Sequence, residues 1–138
     1  KKAIIFDLDG TLWDSSASVC ESWNIVFSRY PEITRRLTPA DVQGFMGKTL
    51  DQIFPIALPD TPDEVRSYEL EYIAEHGGRL YPKLRETLVE LRRSYALIIV
   101  SNCQDGYIQD FLDFADMRGL FGDFESAGGT GLSKGENI

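Results

Sequence analysis

Two aspartates stand two residues apart in Asp7-Leu8-Asp9-Gly10-Thr11. Carboxylates at that spacing can divide the labour of phosphoryl transfer. Asp7, directly behind an apolar run, would be held rigidly and is the better nucleophile, attacking phosphorus to give an aspartyl-phosphate. Asp9 is near enough to serve the same centre. It would protonate the leaving alkoxide and later take a proton from the attacking water. That role needs a raised pKa, and the neighbouring carboxylate is expected to push it up. A Mg²⁺ ion between Asp7 and the phosphate would relieve the repulsion between two anions. Gly10 permits a sharp turn, and the Thr11 hydroxyl can tie it.

These residues need a scaffold that brings them together. Ala3-Ile4-Ile5-Phe6 is short, β-branched and aromatic, and reads as a buried strand. Acids directly after such a strand lie at the carboxyl edge of a sheet, where open α/β folds bind ligands. Ala96-Leu97-Ile98-Ile99-Val100 is the strongest strand signal, and it ends in Ser101-Asn102. At the same edge that hydroxyl and amide would donate to phosphoryl oxygens. Lys134, in the glycine-rich stretch Gly128 to Gly135, would supply a fixed positive charge to Asp7 and the phosphate. Taken alone, Ser-Asn after a strand is an ordinary loop start and Lys134 an ordinary solvated lysine. A Walker phosphate loop is excluded: Ser133 stands where its second Gly belongs, and Gly135 where Ser or Thr should follow Lys. An EF-hand calcium loop also begins D-x-D, but Ser18 occupies the position of its bidentate Glu and the preceding run is strand-like.

Between the two strands the pattern is helical. Asp14 or Ser15 can cap a helix carrying Val19, Trp23, Val26, Phe27 and Tyr30, stopped by Pro31. Thr38-Pro39-Ala40-Asp41 reads as a second start. Thr61-Pro62-Asp63-Glu64 reads as a third, with Thr61 as cap and Glu64 in a capping box, followed by Val65, Tyr68, Tyr72 and Ile73 on the apolar face. Met46 to Leu50 is a short break, and Lys48 within it is a candidate for reading the substrate's leaving group. A helix through Leu84, Leu88, Leu91 and Tyr95 precedes the second strand. Another through Tyr107, Ile108, Phe111, Leu112 and Phe114 follows it, and Gly122 to Ala127 holds a weaker third strand. The order is α/β with an insert. The insert opens at the sheet's carboxyl edge, placed to act as a lid with hinges at Trp13 to Ser16 and Gly77 to Leu80.

The run Asp7-Leu-Asp-Gly-Thr-Leu-Trp-Asp-Ser15 resembles the first motif of the haloacid dehalogenase-like hydrolase superfamily, in its phosphatase form, and most of all the phosphoglycolate-phosphatase-like branch. Ser101-Asn102 resembles the second motif, and Leu132 to Ile138, with Lys134, the third. The resemblance implies a Rossmann-like three-layer core with a parallel sheet, residues 1–15 and 79–138, and an all-helical cap, residues 16–78, inserted after the first strand. It implies an Mg²⁺-dependent phosphatase acting on a small phosphorylated molecule. Asp7, Asp9 and Lys134 would be catalytic, with Asp7 and the Asp9 carbonyl as metal ligands. Leu8, Thr11, Ser101, Asn102 and, from the cap, Lys48 would hold substrate. The superfamily's fourth motif, an acidic pair after a later core strand, has no match here. The core is therefore expected to be incomplete at its C-terminal side, and the sequence to be a fragment or the ordered part of a longer chain rather than a short variant. A phosphomutase of the same superfamily and a non-catalytic regulatory relative are the alternatives. A dehalogenase is disfavoured because Asp9 would have no alkoxide to protonate.

Composition narrows the partners. A formal net charge of −8 argues against nucleic acid or an anionic membrane, so a phosphorylated substrate must be drawn by local donors and a metal. No apolar run approaches the roughly 20 residues of a membrane helix. The chain starts directly into a strand, with no signal peptide in view. Cys20 and Cys103 lack metal spacing and read as reduced thiols of a cytoplasmic protein. His76, before Gly77-Gly78, reads as a helix-end residue.

Overall fold

The computed structural model describes residues 2–132 and 134–138. Its sheet is parallel, with β1 (Lys2–Phe6), β4 (Tyr95–Ser101) and β5 (Asp123–Ser126) in the order β1-β4-β5. β4 is central, which explains its long apolar run: Leu97, Ile99 and Val100 are buried. Among the described residues β1 is flanked on one edge only, and Ile5 is 43% exposed. Register pairs Phe6 with Ile99 and Ser101 with Ser126, so the strands end side by side. α5 (Leu84–Arg92) leads into β4, and α6 (Tyr107–Ala115) leads from it towards β5. α6 buries Tyr107, Ile108, Phe111, Leu112 and Ala115, the stripe its spacing predicts.

Four helices lie between β1 and α5: α1 (Ser16–Ser28), α2 (Pro39–Phe45), α3 (Leu50–Ala57) and α4 (Glu64–His76). They are bracketed by a two-residue antiparallel ribbon, β2 (Trp13–Asp14) and β3 (Arg79–Leu80). The ribbon occupies both expected hinges. α1 buries Val19, Trp23, Val26 and Phe27, and packs on α4 and α2. Thr38 caps α2 with a reciprocal Asp41 box, as its sequence predicts.

One helix start differs from the sequence reading, and one helix has no counterpart in it. Thr61 is not the cap of α4. The helix begins at Glu64, and the Thr61 hydroxyl instead accepts from Arg35 at 3.1 Å. The Glu64 carboxylate cannot fold back as a capping box because Tyr30 (2.5 Å) and Arg29 (3.2 Å) both donate to it. α3 begins where the expected break at Met46 to Leu50 ends. Its cap is Thr49, which accepts from the Gln52 N–H at 3.2 Å while Gln52 accepts from the Thr49 N–H at 3.0 Å. Pro55 inside α3 hides this helix from a sequence reading. Replacing Thr49 by Ala should cost about 1 kcal/mol. Urea unfolding checks this, and an unchanged midpoint would show the box to be inert.

The glycine-rich stretch is also more ordered than a loop. Ser126 caps a short turn, α7 (Ala127–Thr130), accepting from the Gly129 N–H at 3.0 Å. A Cβ on Gly128 would come within 2.6 Å of the Gln104 Cα, so only glycine lets this turn lie against the segment after β4. A second turn, α8 (Lys134–Asn137), follows. Ser133 lies outside the described residues.

Candidate active site

Asp7 follows β1 directly. Its turn is closed by the Gly10 N–H on the Trp13 carbonyl and the Leu12 N–H on the Leu8 carbonyl, both 2.9 Å, with Gly10 at φ +80°. The Leu8 side chain is fully buried and pins the turn to the core. Asp7 Oδ1 accepts from the Leu8 N–H at 2.8 Å and lies 3.2 Å from Lys134 Nζ. About a third of each side chain in that pair is exposed, so it adds little to stability. Its importance is positional: α8 delivers an ammonium to the first aspartate. Asn102 sets that delivery, because its Oδ1 accepts the Lys134 N–H at 3.0 Å while its Nδ2 donates to the Gly47 carbonyl at 3.0 Å. One amide thereby ties the end of β4 to α8 and to the helical block.

Asp9 is held differently. Its Oδ1 accepts from Tyr107 (2.8 Å), Ser15 (2.9 Å) and the Trp13 indole N–H (3.0 Å). Burial pushes its carboxyl up, the three donors oppose that, and the Asp7 charge adds a smaller upward push. The direction matches the sequence expectation, but its main cause is burial rather than the neighbouring acid. A raised pKa suits a group that must hold a proton and then release it.

Asp7, Asp9, Ser101, Asn102, Lys48 and Lys134 line one cleft. Ser101 is buried at the end of β4. The opposite wall, from the helical block, is mostly apolar: Val19, Trp23, Val42, Phe45 and Ile53. Two expected participants stand apart. Thr11 is exposed on the turn and does not line the cleft, and its N–H rather than its hydroxyl closes the turn, on the Leu8 carbonyl at 3.1 Å. Leu8 reaches the site only through its N–H, which is given to Asp7. The sequence reading missed Ser15, Tyr107 and Glu69. Glu69 lines the cleft, is 5% exposed and accepts the Trp23 indole N–H at 2.6 Å. Burial pushes its carboxyl up to about 7.

Among the described residues no group of three or more His, Cys, Asp or Glu could hold a metal. The donor set is thus the Asp7 carboxylate and nearby carbonyls, that of Asp9 among them. It fits Mg²⁺, which takes hard oxygens, uses one or two carboxylates, and completes its shell with water and substrate phosphate. Asp9 Oδ1 is fully engaged, whereas Asp7 Oδ2 has no hydrogen-bond partner among the described residues.

Residues 4–129 match the family model described as haloacid dehalogenase-like hydrolase. The chain is 31% identical over 103 residues to the pyrophosphatase PpaX of Listeria monocytogenes, covering 71% of this chain and 46% of that protein. It is 28% identical over 139 residues to the phosphoglycolate phosphatase of Vibrio cholerae, covering 88% and 60%. A crystal structure of a predicted phosphoglycolate phosphatase from Haemophilus somnus superposes with a TM-score of 0.79 at 23% identity, over 96% of this chain and 65% of that one. The chain spans about half the length of the curated relatives it matches.

Proposed function

The chain belongs to the haloacid dehalogenase-like hydrolase family, and on that premise we propose that its site hydrolyses the phosphomonoester of a small metabolite, with Mg²⁺ bound by Asp7 and Asp9. The observation that carries this reading is the 3.2 Å approach of Lys134 to Asp7 in a cleft that Ser101 and Asn102 also line.

In this reading Asp7 Oδ2 attacks phosphorus, and the phosphorus–ester oxygen bond breaks. The Asp9 carboxyl gives its proton to the departing alkoxide. Water then attacks the aspartyl-phosphate, Asp9 takes the water proton, and inorganic phosphate leaves with Asp7 regenerated. Lys134 neutralises charge on the nucleophile and on the phosphoryl oxygens, and Ser101 donates to those oxygens. Asn102 holds Lys134 in place and is near enough to share in that donation. The Tyr107, Ser15 and Trp13 donors fix Asp9 Oδ1 and leave its other oxygen for the proton transfer. The bound metal would supply further neutralisation of the phosphoryl group. Several donors must converge, because known enzymes accelerate phosphate-monoester hydrolysis by up to ~10²¹.

Residues 16–78 serve in this reading as a helical cap on a core of residues 1–15 and 79–138, with Lys48 facing the leaving group. No helix among the described residues is long and apolar enough to cross a membrane. A cytoplasmic setting accords with the two unbridged cysteines. Lys134→Ala should lower kcat by ~10²–10³ while changing stability by less than about 1 kcal/mol. Steady-state phosphate release with Mg²⁺, beside urea unfolding, checks both. An unchanged kcat would remove Lys134 from the mechanism. Sugar-phosphate isomerisation in place of phosphate release would favour a mutase, and inertness of the parent across a broad phosphate panel would favour a non-catalytic role.

A further inference from the structure

The helical wall of the cleft carries one acid that the chemistry above leaves unused. Glu69 lies on the buried stripe of α4 between Val65 and Ile73, where an apolar residue would ordinarily stand. It is 5% exposed and shares its wall with Trp23, Val19 and Ile53, where a charge is costly to isolate. Satisfying the Trp23 N–H does not require a charge, because a glutamine oxygen would accept it equally well. Only Oε2 accepts that bond, at 2.6 Å. Oε1 is not among the buried side-chain atoms left without a partner, the Gln104 amide lies beside the carboxylate, and Glu69 lines the cleft. The groups around Glu69 do not neutralise it. Asp9 repels it, the Tyr107 hydroxyl and Cys103 thiol are near but uncharged, and Arg66 and the Gln104 amide favour ionisation only weakly. The Gln104 Nε2 is given to the Arg66 carbonyl at 2.9 Å, and the Arg66 guanidinium to Asp51 at 2.6 Å.

Resting on the phosphatase reading, which puts the phosphoryl group at Asp7, we propose that Glu69 selects the leaving group: the ester's organic part carries a hydrogen-bond donor without negative charge, a hydroxyl or an amine, which meets Glu69 Oε1. The apolar wall takes the carbon skeleton. A leaving group bearing a carboxylate or a second phosphate meets a like charge in a desolvated wall and is disfavoured. Lys48 lines the same cleft but is exposed, so solvent screens its charge more than that of the buried Glu69. The substrate class is therefore a polyol or amino-alcohol monophosphate rather than phosphoglycolate or pyrophosphate.

The test compares glycerol 1-phosphate with phosphoglycolate and pyrophosphate at about pH 8 with Mg²⁺, for the parent chain and Glu69→Gln. The readout is the ratio of kcat/KM values, which simple structural damage would leave unchanged. The parent should favour glycerol 1-phosphate by at least about 10-fold, and Glu69→Gln should shrink that ratio by a similar factor. A parent that prefers either anionic substrate, or a variant that lowers all three substrates alike, overturns the proposal. Should the parent turn over none of them, calorimetric Kd values for glycerol 1-phosphate and phosphoglycolate on the same two chains decide it by the same ratio. An Asp7→Asn chain as active as the parent would sink the phosphatase reading instead, with a result separate from the ratio.

Discussion

A chain carrying Asp7→Asn should release phosphate from monoesters at least about 10⁴-fold more slowly than the parent, a loss of about 5.5 kcal/mol in transition-state stabilisation. The amide is nearly the same shape, and its Oδ1 can still accept the Leu8 N–H that Asp7 accepts at 2.8 Å. What it loses is a nucleophilic oxygen and the charge that meets Lys134 at 3.2 Å. That pair is partly solvated, so stability should move by less than about 1 kcal/mol. A large kinetic loss on an intact fold therefore isolates the chemistry. Acid quenching during turnover supplies a second readout: the parent should carry one phosphoryl group on Asp7 and the variant none. Residual activity within tenfold of the parent would remove Asp7 as nucleophile.

The second large effect is on stability. Glu69 ionises at about 7 in the folded chain, against 4.5 for an ordinary glutamate. Between those pH values the folded chain keeps a proton that the unfolded chain has released, so stability falls as pH rises through the window. The loss from pH 4.5 to about pH 8 is on the order of 3 kcal/mol, and deep burial leaves little solvent screening to reduce it. Glu69→Gln keeps an acceptor for the Trp23 N–H and removes the ionisation. It should match the parent near pH 4.5 and exceed it in stability by that amount at about pH 8. Urea unfolding at both pH values measures this. Parallel pH profiles for the two chains would show that Glu69 does not ionise as an isolated buried acid.

Much of the site is legible in the sequence because it is local. Polar residues that end an apolar run lie at a sheet edge whatever the rest of the chain does, which is why Asp7, Asp9, Ser101 and Asn102 can be placed from pattern alone. Lys134 needed the family resemblance as well, since nothing near it fixes its direction. That direction comes from the Asn102 amide, 32 residues away. Glu69 and Tyr107 escape for a related reason. Their partners, Trp23 and Asp9, are 46 and 98 residues distant, and on helical wheels they read as solvent-facing and core residues. Thr61 misleads in the opposite sense. Its local capping pattern is sound, but Arg35 and Tyr30 claim the groups the cap would need.

The register of β1 on β4 also governs when this polypeptide becomes competent. Among the described residues, residues 2–6 pair only with residues 95–99, across the entire helical block. During synthesis Asp7 emerges before the strand that partners β1, while the intervening helices can already be assembling. Closing so distant a pairing is entropically slow. Helical signal should thus recover before chemistry does when the unfolded chain is returned to native solvent.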